Sequence, residues 1–268
     1  MSEGERVQKG VLLEIAYEGT RFSGWAIQPG RRTVQETLDT AIRTLDAKAS
    51  AVRGTSRTDA GVHAEGQRAA FDPSLPLQAR GWVLAINQHL PDDVAVRSAR
   101  DIVVGYNPRF ASKKKRYRYR ILLDRVRDPL LSERTWRIGW PLDIAKMQRE
   151  AEAIVGTHDF GSFRSSHDAR TDTTRTITRA EVELETPRIA AFVVEGNAFL
   201  YNMVRILVGT LVDVARGKLE EGAIARALAH PKREEGRKLA GMTAPAHGLT
   251  LEEIDLDLPE GAGDPWPR

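Results

Sequence analysis

Residues 54–63 read Gly54-Thr55-Ser56-Arg57-Thr58-Asp59-Ala60-Gly61-Val62-His63. Gly54 and Gly61 bracket a single carboxylate. A segment with so little side-chain bulk lets the backbone bend tightly and lets a large ligand approach. Arg57 stands two residues before Asp59, and a cation at that distance favours the ionised carboxylate. The pattern suits a lone carboxylate acting as nucleophile or base. It also describes an Asx-turn in a surface loop, where Asp and Gly are common for backbone reasons.

The flanks of this segment are strand-rich. Upstream, residues 11–17 read as a strand ending at Gly19. Residues 33–46 read as a helix: Thr33 and Glu36 match a capping box, and Val34, Leu38, Ile42 and Leu45 share one face. Downstream come a short strand at 67–71, a helix at 77–90 stopped by Pro91, and a short strand at 94–98. After a break at 105–112 the alternation of strands and helices recurs. Residues 112–123 form a strand, and 143–155 a helix with Asp143 as N-cap. Antiparallel strands follow at 179–184 and 190–195, then helices at about 199–216 and 221–229. Runs of strands with a few helices indicate an α+β fold rather than a doubly wound one. The expected division is an N-terminal α/β half at 1–105, a C-terminal α/β half at 106–259, and a disordered Gly- and Pro-containing tail at 260–268.

Two further features carry charge where chemistry can use it. Lys113-Lys114-Lys115-Arg116-Tyr117-Arg118-Tyr119-Arg120 holds six basic residues in eight. On a strand Tyr117 and Tyr119 point to one face, and Arg116, Arg118 and Arg120 to the other. One face can stack on a base while a basic surface tracks phosphates. A lysine-protected edge strand with two core tyrosines has the same pattern. Arg205 is the lone charge at the start of an apolar helix. Burying it calls for a carboxylate partner, unless its stem snorkels to the surface. Arg164, Arg170, Arg175 and Arg179 punctuate a Ser/Thr-rich stretch that reads either as a phosphate-contacting loop or as an ordinary solvated one. Among the tryptophans, Trp25 is the best candidate for an exposed stacking platform.

Composition narrows the class. The 268 residues carry a net charge of +3, 41% hydrophobic residues and no Cys. Thiolate chemistry and Cys-ligated zinc are excluded. The two His-Asp pairs, at 158–159 and 167–168, lack a tight ligand spacing, and no metal is expected. The clustered basic residues fit a polyanionic partner. No apolar signal core or membrane-length stretch is present, so a soluble cytoplasmic protein is expected.

Arg57-Thr58-Asp59-Ala60-Gly61-Val62-His63-Ala64 resembles the signature of the tRNA pseudouridine synthase A (TruA) family. The resemblance continues in the family's order through Tyr17-Glu18-Gly19-Thr20-Arg21-Phe22-Ser23-Gly24-Trp25, Thr33-Val34-Gln35-Glu36 and Asn87-Gln88-His89-Leu90-Pro91. It extends through Arg116-Tyr117-Arg118-Tyr119, Phe160-Gly161-Ser162-Phe163-Arg164, Asn197 to Arg205, and Thr243 to Leu249. It thus covers nearly the whole chain, from about Val11 to Ile254. Ser56 stands where many members have Gly, and Ala26-Ile27 where a Gln is frequent.

The resemblance implies two similar α/β halves with mostly antiparallel sheets joined across a central basic cleft, and a homodimer. It implies isomerisation of uridine to pseudouridine at positions 38, 39 and 40 of the tRNA anticodon stem-loop, after base flipping, without cofactor or metal. The site residues it implies are Asp59 as nucleophile, Arg57 to hold the flipped state, Tyr117 packed on the uracil, and Arg205 paired with Asp59. Arg116, Arg118, Lys114 and Arg164 are expected to contact the substrate. Tyr119 and His63 are expected to be structural. A non-catalytic tRNA-binding protein or chaperone is the alternative, and would not need Asp59.

Overall fold

A computed structural model of the chain describes residues 9–267. The chain divides into two units. Among the described residues, the first comprises residues 9–113 together with 253–267, and the second runs from Lys114 to Glu252.

In the first unit, β1 (Gly10–Tyr17) is followed by α1 (Val34–Leu45), β2 (Arg53–Gly54), β3 (His63–Phe71), α2 (Ala79–Asn87) and β4 (Val94–Ile102). β1 lies between β3 and β4 and is antiparallel to both, while β2 adds antiparallel to β3. The period of two in β1 separates two packed faces. Leu13 and Ile15 on one face are fully buried, as are Leu38 and Ile42 of α1 and Trp82 and Ile86 of α2. Each such side chain contributes roughly 1.5–3 kcal/mol by leaving water. Leu12 belongs to a separate cluster with Ala70 and Ile102. β3 and β4 are longer than the short strands expected from sequence, because both pair along the whole of β1.

The capping box at the start of α1 does not form. Thr33 is the N-cap, but its side chain makes no capping bond, and its Oγ1 is buried without a hydrogen-bond partner. The segment after residue 259 also departs from the expected disordered tail. Gly263 N–H donates to Asp101 O at 3.0 Å. Trp266 exchanges backbone hydrogen bonds of 2.8 and 2.9 Å with Ala99 of β4. The Arg80 guanidinium sits 5.6 Å over the Trp266 ring. Backbone pairing with an edge strand orders a segment whose composition alone would leave it loose.

The second unit contains β5 (Ser112–Leu123, from Lys114 onward), β6 (Trp136–Ile138), α3 (Ile144–Glu152), β7 (Gly156–Asp159), β8 (Thr174–Thr186), β9 (Ile189–Gly196), α4 (Met203–Ala215), α5 (Ala223–Ala229) and α6 (Arg233–Gly236). β9 lies antiparallel between β5 and β8, β7 is antiparallel to β8, and β6 is parallel to β5. Asp143 caps α3 as expected, accepting from Lys146 N–H at 3.0 Å. Every residue of α4 except Arg205 is buried, which marks it as a core helix. β10 (Leu249–Leu256) carries the chain from the second unit back into the first. The fold is α+β with mostly antiparallel sheets. The boundary between the units falls at Lys113/Lys114 rather than at 105/106, and the C-terminal segment rejoins the first unit. Among the described residues, no helix is long and apolar enough to cross a membrane.

Candidate active site

Asp59 lies on the loop between β2 and β3, and neighbouring groups hold that loop at several points. Thr55 N–H donates to Arg68 O at 2.9 Å. The Gln67 side chain accepts from Ser56 N–H at 3.2 Å and donates to Ser56 O at 2.7 Å, closing a reciprocal pair. Thr58 shares a buried 2.7 Å hydrogen bond with the Tyr17 hydroxyl. Trp25 N–H donates to Thr58 O, and Gly61 N–H to Phe22 O, each at 3.2 Å. The loop is thereby fastened to the end of β1 and the turn that follows it.

Two close approaches explain why small residues are needed here. A Cβ on Gly19 would lie 2.0 Å from Val62 O, and one on Gly54 would lie 2.3 Å from Trp25 Nε1. Gly54 therefore makes room for an indole rather than for a ligand. Trp25 is only 2% exposed. It is a wedge under the loop and not the stacking platform expected from sequence. His63 is 3% exposed, and its Nδ1 accepts from Gly19 N–H at 3.0 Å, which gives it a packing role. On this fixed backbone Asp59 is half-buried and Arg57 exposed. A carboxylate held this way is preorganised to act on a bound group without first ordering its own loop.

On β5 the two faces have the expected chemistry, but a different use of charge. Tyr117 is 7% exposed and meets Phe199 edge-on, with ring centroids 5.1 Å apart. Tyr119 is fully buried and donates from its hydroxyl to Pro245 O at 2.8 Å. Burial pushes its ionisation well up, against the lowering influence of Arg205. On the other face Arg116 Nε donates to Glu195 at 2.7 Å, and Lys114 Nζ lies 2.9 Å from the same carboxylate. Burial raises the Glu195 carboxyl, but hydrogen bonds from Lys114 and Arg116 outweigh it and hold the group below its ordinary range.

Arg118, expected to contact the substrate, is engaged by three carboxylates. It donates to Glu183 and Glu252, and to Glu185 at 2.7 Å. Burial opposes its charge, but these carboxylates hold it ionised well above the ordinary arginine range. The strand is interior rather than a lysine-protected edge, and its basic face is matched by glutamates from β8, β9 and β10.

Arg205 lies in the first turn of α4. Its Nε donates to Ala244 O and its Nη1 to Asn202 Oδ1, both at 2.8 Å. The turn before it is anchored by Asp168, which accepts from Tyr201 N–H at 2.8 Å, while Ser165 N–H donates to Tyr201 O at 2.9 Å. Arg164 closes the same loop by donating to the carbonyls of Asp168 and Arg170. Arg170 in turn donates to Phe199 O at 3.2 Å. Tyr117, Phe199 and the Arg205 turn are thus linked within the second unit. Asp59 and Arg57 belong to the first.

The sequence profile described as tRNA pseudouridine synthase matches residues 14–110 and 151–257 of this chain. The chain belongs to the tRNA pseudouridine synthase family. Among curated relatives, the tRNA pseudouridine synthase A of Acetivibrio thermocellus is 41% identical over 92% of this chain and 99% of its own length. Those of Halalkalibacterium halodurans and Myxococcus xanthus are each 41% identical over 90% of both chains. The activity of this synthase is therefore that of an isomerase.

Several residues that shape the synthase's loops escaped the sequence reading. Gln67 and Tyr17 sit in strands and look like ordinary strand residues, and nothing local announces their bonds to the Asp59 loop. Asn202 had a signal: an amide immediately before an apolar helix reads as an N-cap. Its actual partner, Arg205, appears only in three dimensions.

Proposed function

We propose that this synthase converts uridine to pseudouridine at positions 38, 39 and 40 of the tRNA anticodon stem-loop, with Asp59 as the residue that acts on the nucleotide. The observation that carries this reading is the clamped loop that holds Asp59 half-buried beside an exposed Arg57. The target base must leave its stack, at a cost of a few kcal/mol. Arg57 enters the vacated space and stabilises the flipped state. The bond from uracil N1 to ribose C1′ breaks, the base turns, and C5 bonds to C1′. C5 then loses its proton and N1 gains one. Atoms and electrons balance within the nucleotide, so no cofactor or redox partner is required.

Tyr117 holds the detached uracil, backed by Phe199, so that C5 rather than N1 returns to the sugar. Arg205 is the cation that the family resemblance assigns to keeping the catalytic carboxylate ionised. Lys114 and Arg116, shared with Glu195, and Arg164 contact the substrate. Arg118 is reserved for the glutamates. Modification of three neighbouring positions calls for recognition of tRNA shape rather than of one base sequence. The synthase works as a cytoplasmic homodimer, as the family resemblance implies.

The test is tritium release from tRNA labelled at uridine C5, with wild type beside Asp59→Ala. Release by wild type alone is expected. Equal release by both would remove Asp59 from the chemistry. No release from either, with tRNA binding intact, would favour a binding-only protein.

A further inference from the structure

Asn202 is the only non-glycine residue with positive φ among the described residues, at φ 61° and ψ 4°. Left-handed backbone costs a non-glycine residue roughly 1 kcal/mol, least for Asn and Asp. Asn202 also stands at the N-cap of α4, where an amide oxygen ordinarily accepts from an N–H of the first turn. It makes no such bond. Its Oδ1 is turned instead to Arg205 Nη1 at 2.8 Å. The residue therefore carries backbone strain and forgoes a cap, and both are explained by one contact. Strain of this kind persists where the surrounding structure over-determines it. Here Asp168 and Ser165 fix the preceding Tyr201 on both sides of its peptide.

We infer that Asn202 is a positioning residue that sets the direction of the Arg205 guanidinium for the isomerisation. Ala244 O holds the Nε edge and Asn202 Oδ1 holds Nη1, so the planar group is held at both of these nitrogens. Arginine donors lie in a rigid fork, so fixing two of them aims the whole group. The inference rests on the proposed role of Arg205 as partner of the catalytic carboxylate, and the test separates the two.

Asn202→Gly keeps the left-handed turn, since glycine adopts it freely, and removes only the amide. An unchanged or raised melting temperature is expected, with KM for tRNA retained and kcat lowered about 10- to 100-fold. In an Arg205→Ala background the same substitution should cause no further loss, because the group being aimed is already gone. Asn202→Asp keeps an oxygen acceptor and tolerates the same φ, and should retain most of the activity. Wild-type kcat in Asn202→Gly would overturn the positioning role while leaving Arg205 in place. A loss that adds to that of Arg205→Ala, or an Asp variant as impaired as the Gly variant, would also overturn it. Full activity in Arg205→Ala would instead remove the reading of Arg205, and with it any need to aim the group.

Discussion

The Asp59 loop and the basic strand β5 are the two segments in which the sequence concentrates chemistry, and the fold holds them by opposite means. The contacts described around the loop are between uncharged groups: the Tyr17 hydroxyl, the Gln67 amide, backbone bonds from Trp25 and Gly61, and the Gly19 and Gly54 contacts. The strand is held by charge, with Lys114, Arg116 and Arg118 distributed over four glutamates. These neutral contacts fix the path of the loop's backbone. A strand dense in cations cannot sit inside a sheet without carboxylates to offset the cost of burying them. A conspicuous run of basic residues is thus partly structural.

The largest blow to this contrast is Gly19→Ala. Its Cβ would fall 2.0 Å from Val62 O, a backbone atom that cannot turn away. Displacing the loop by about 1 Å should lower kcat by roughly 100-fold and cost about 2–3 kcal/mol of stability, read by tritium release and thermal denaturation. Retained activity would show that the clamp is not what positions Asp59. The strand is tested by Arg118→Met, which takes the cation from Glu183 and Glu252 and leaves Glu185 to Arg120. A loss of about 3 kcal/mol is expected, while the dependence of tRNA affinity on salt stays as in wild type. A fall of about one in the log–log salt slope would instead assign Arg118 to a phosphate. The smallest effect concerns Thr33. A working capping box would lose about 1 kcal/mol on Thr33→Val. With Oγ1 buried and unsatisfied, the substitution should be neutral or stabilising by under about 1 kcal/mol in chemical denaturation.

Much of this was legible from the chain. The apolar spacing of Val34, Leu38 and Ile42 located α1, the cap at Asp143 started α3, an apolar run ending before Gly19 located β1, and alternation located parts of β8 and β9. These features repeat over distances of two to four residues and are written locally. The Trp25 contact on Gly54 was not legible, because the two residues are far apart in sequence and neither has a pattern that names the other. Nor was the pairing of Trp266 with Ala99: a segment rich in Gly and Pro carries no strand signal, and its order comes from the free edge of β4.

The sequence by itself determined the family, the α+β class and the identity of Asp59 as the residue to test, because ordered motifs and short-range periodicity survive without three dimensions. The tertiary structure decided which charges are engaged and which are exposed. Arg118 is 65 residues from Glu183 and 134 from Glu252. Only the pairing of distant strands tells such a cation, committed to the fold, from one like Arg57 that faces solvent, since electrostatic partnership depends on distance in space and not on spacing along the chain.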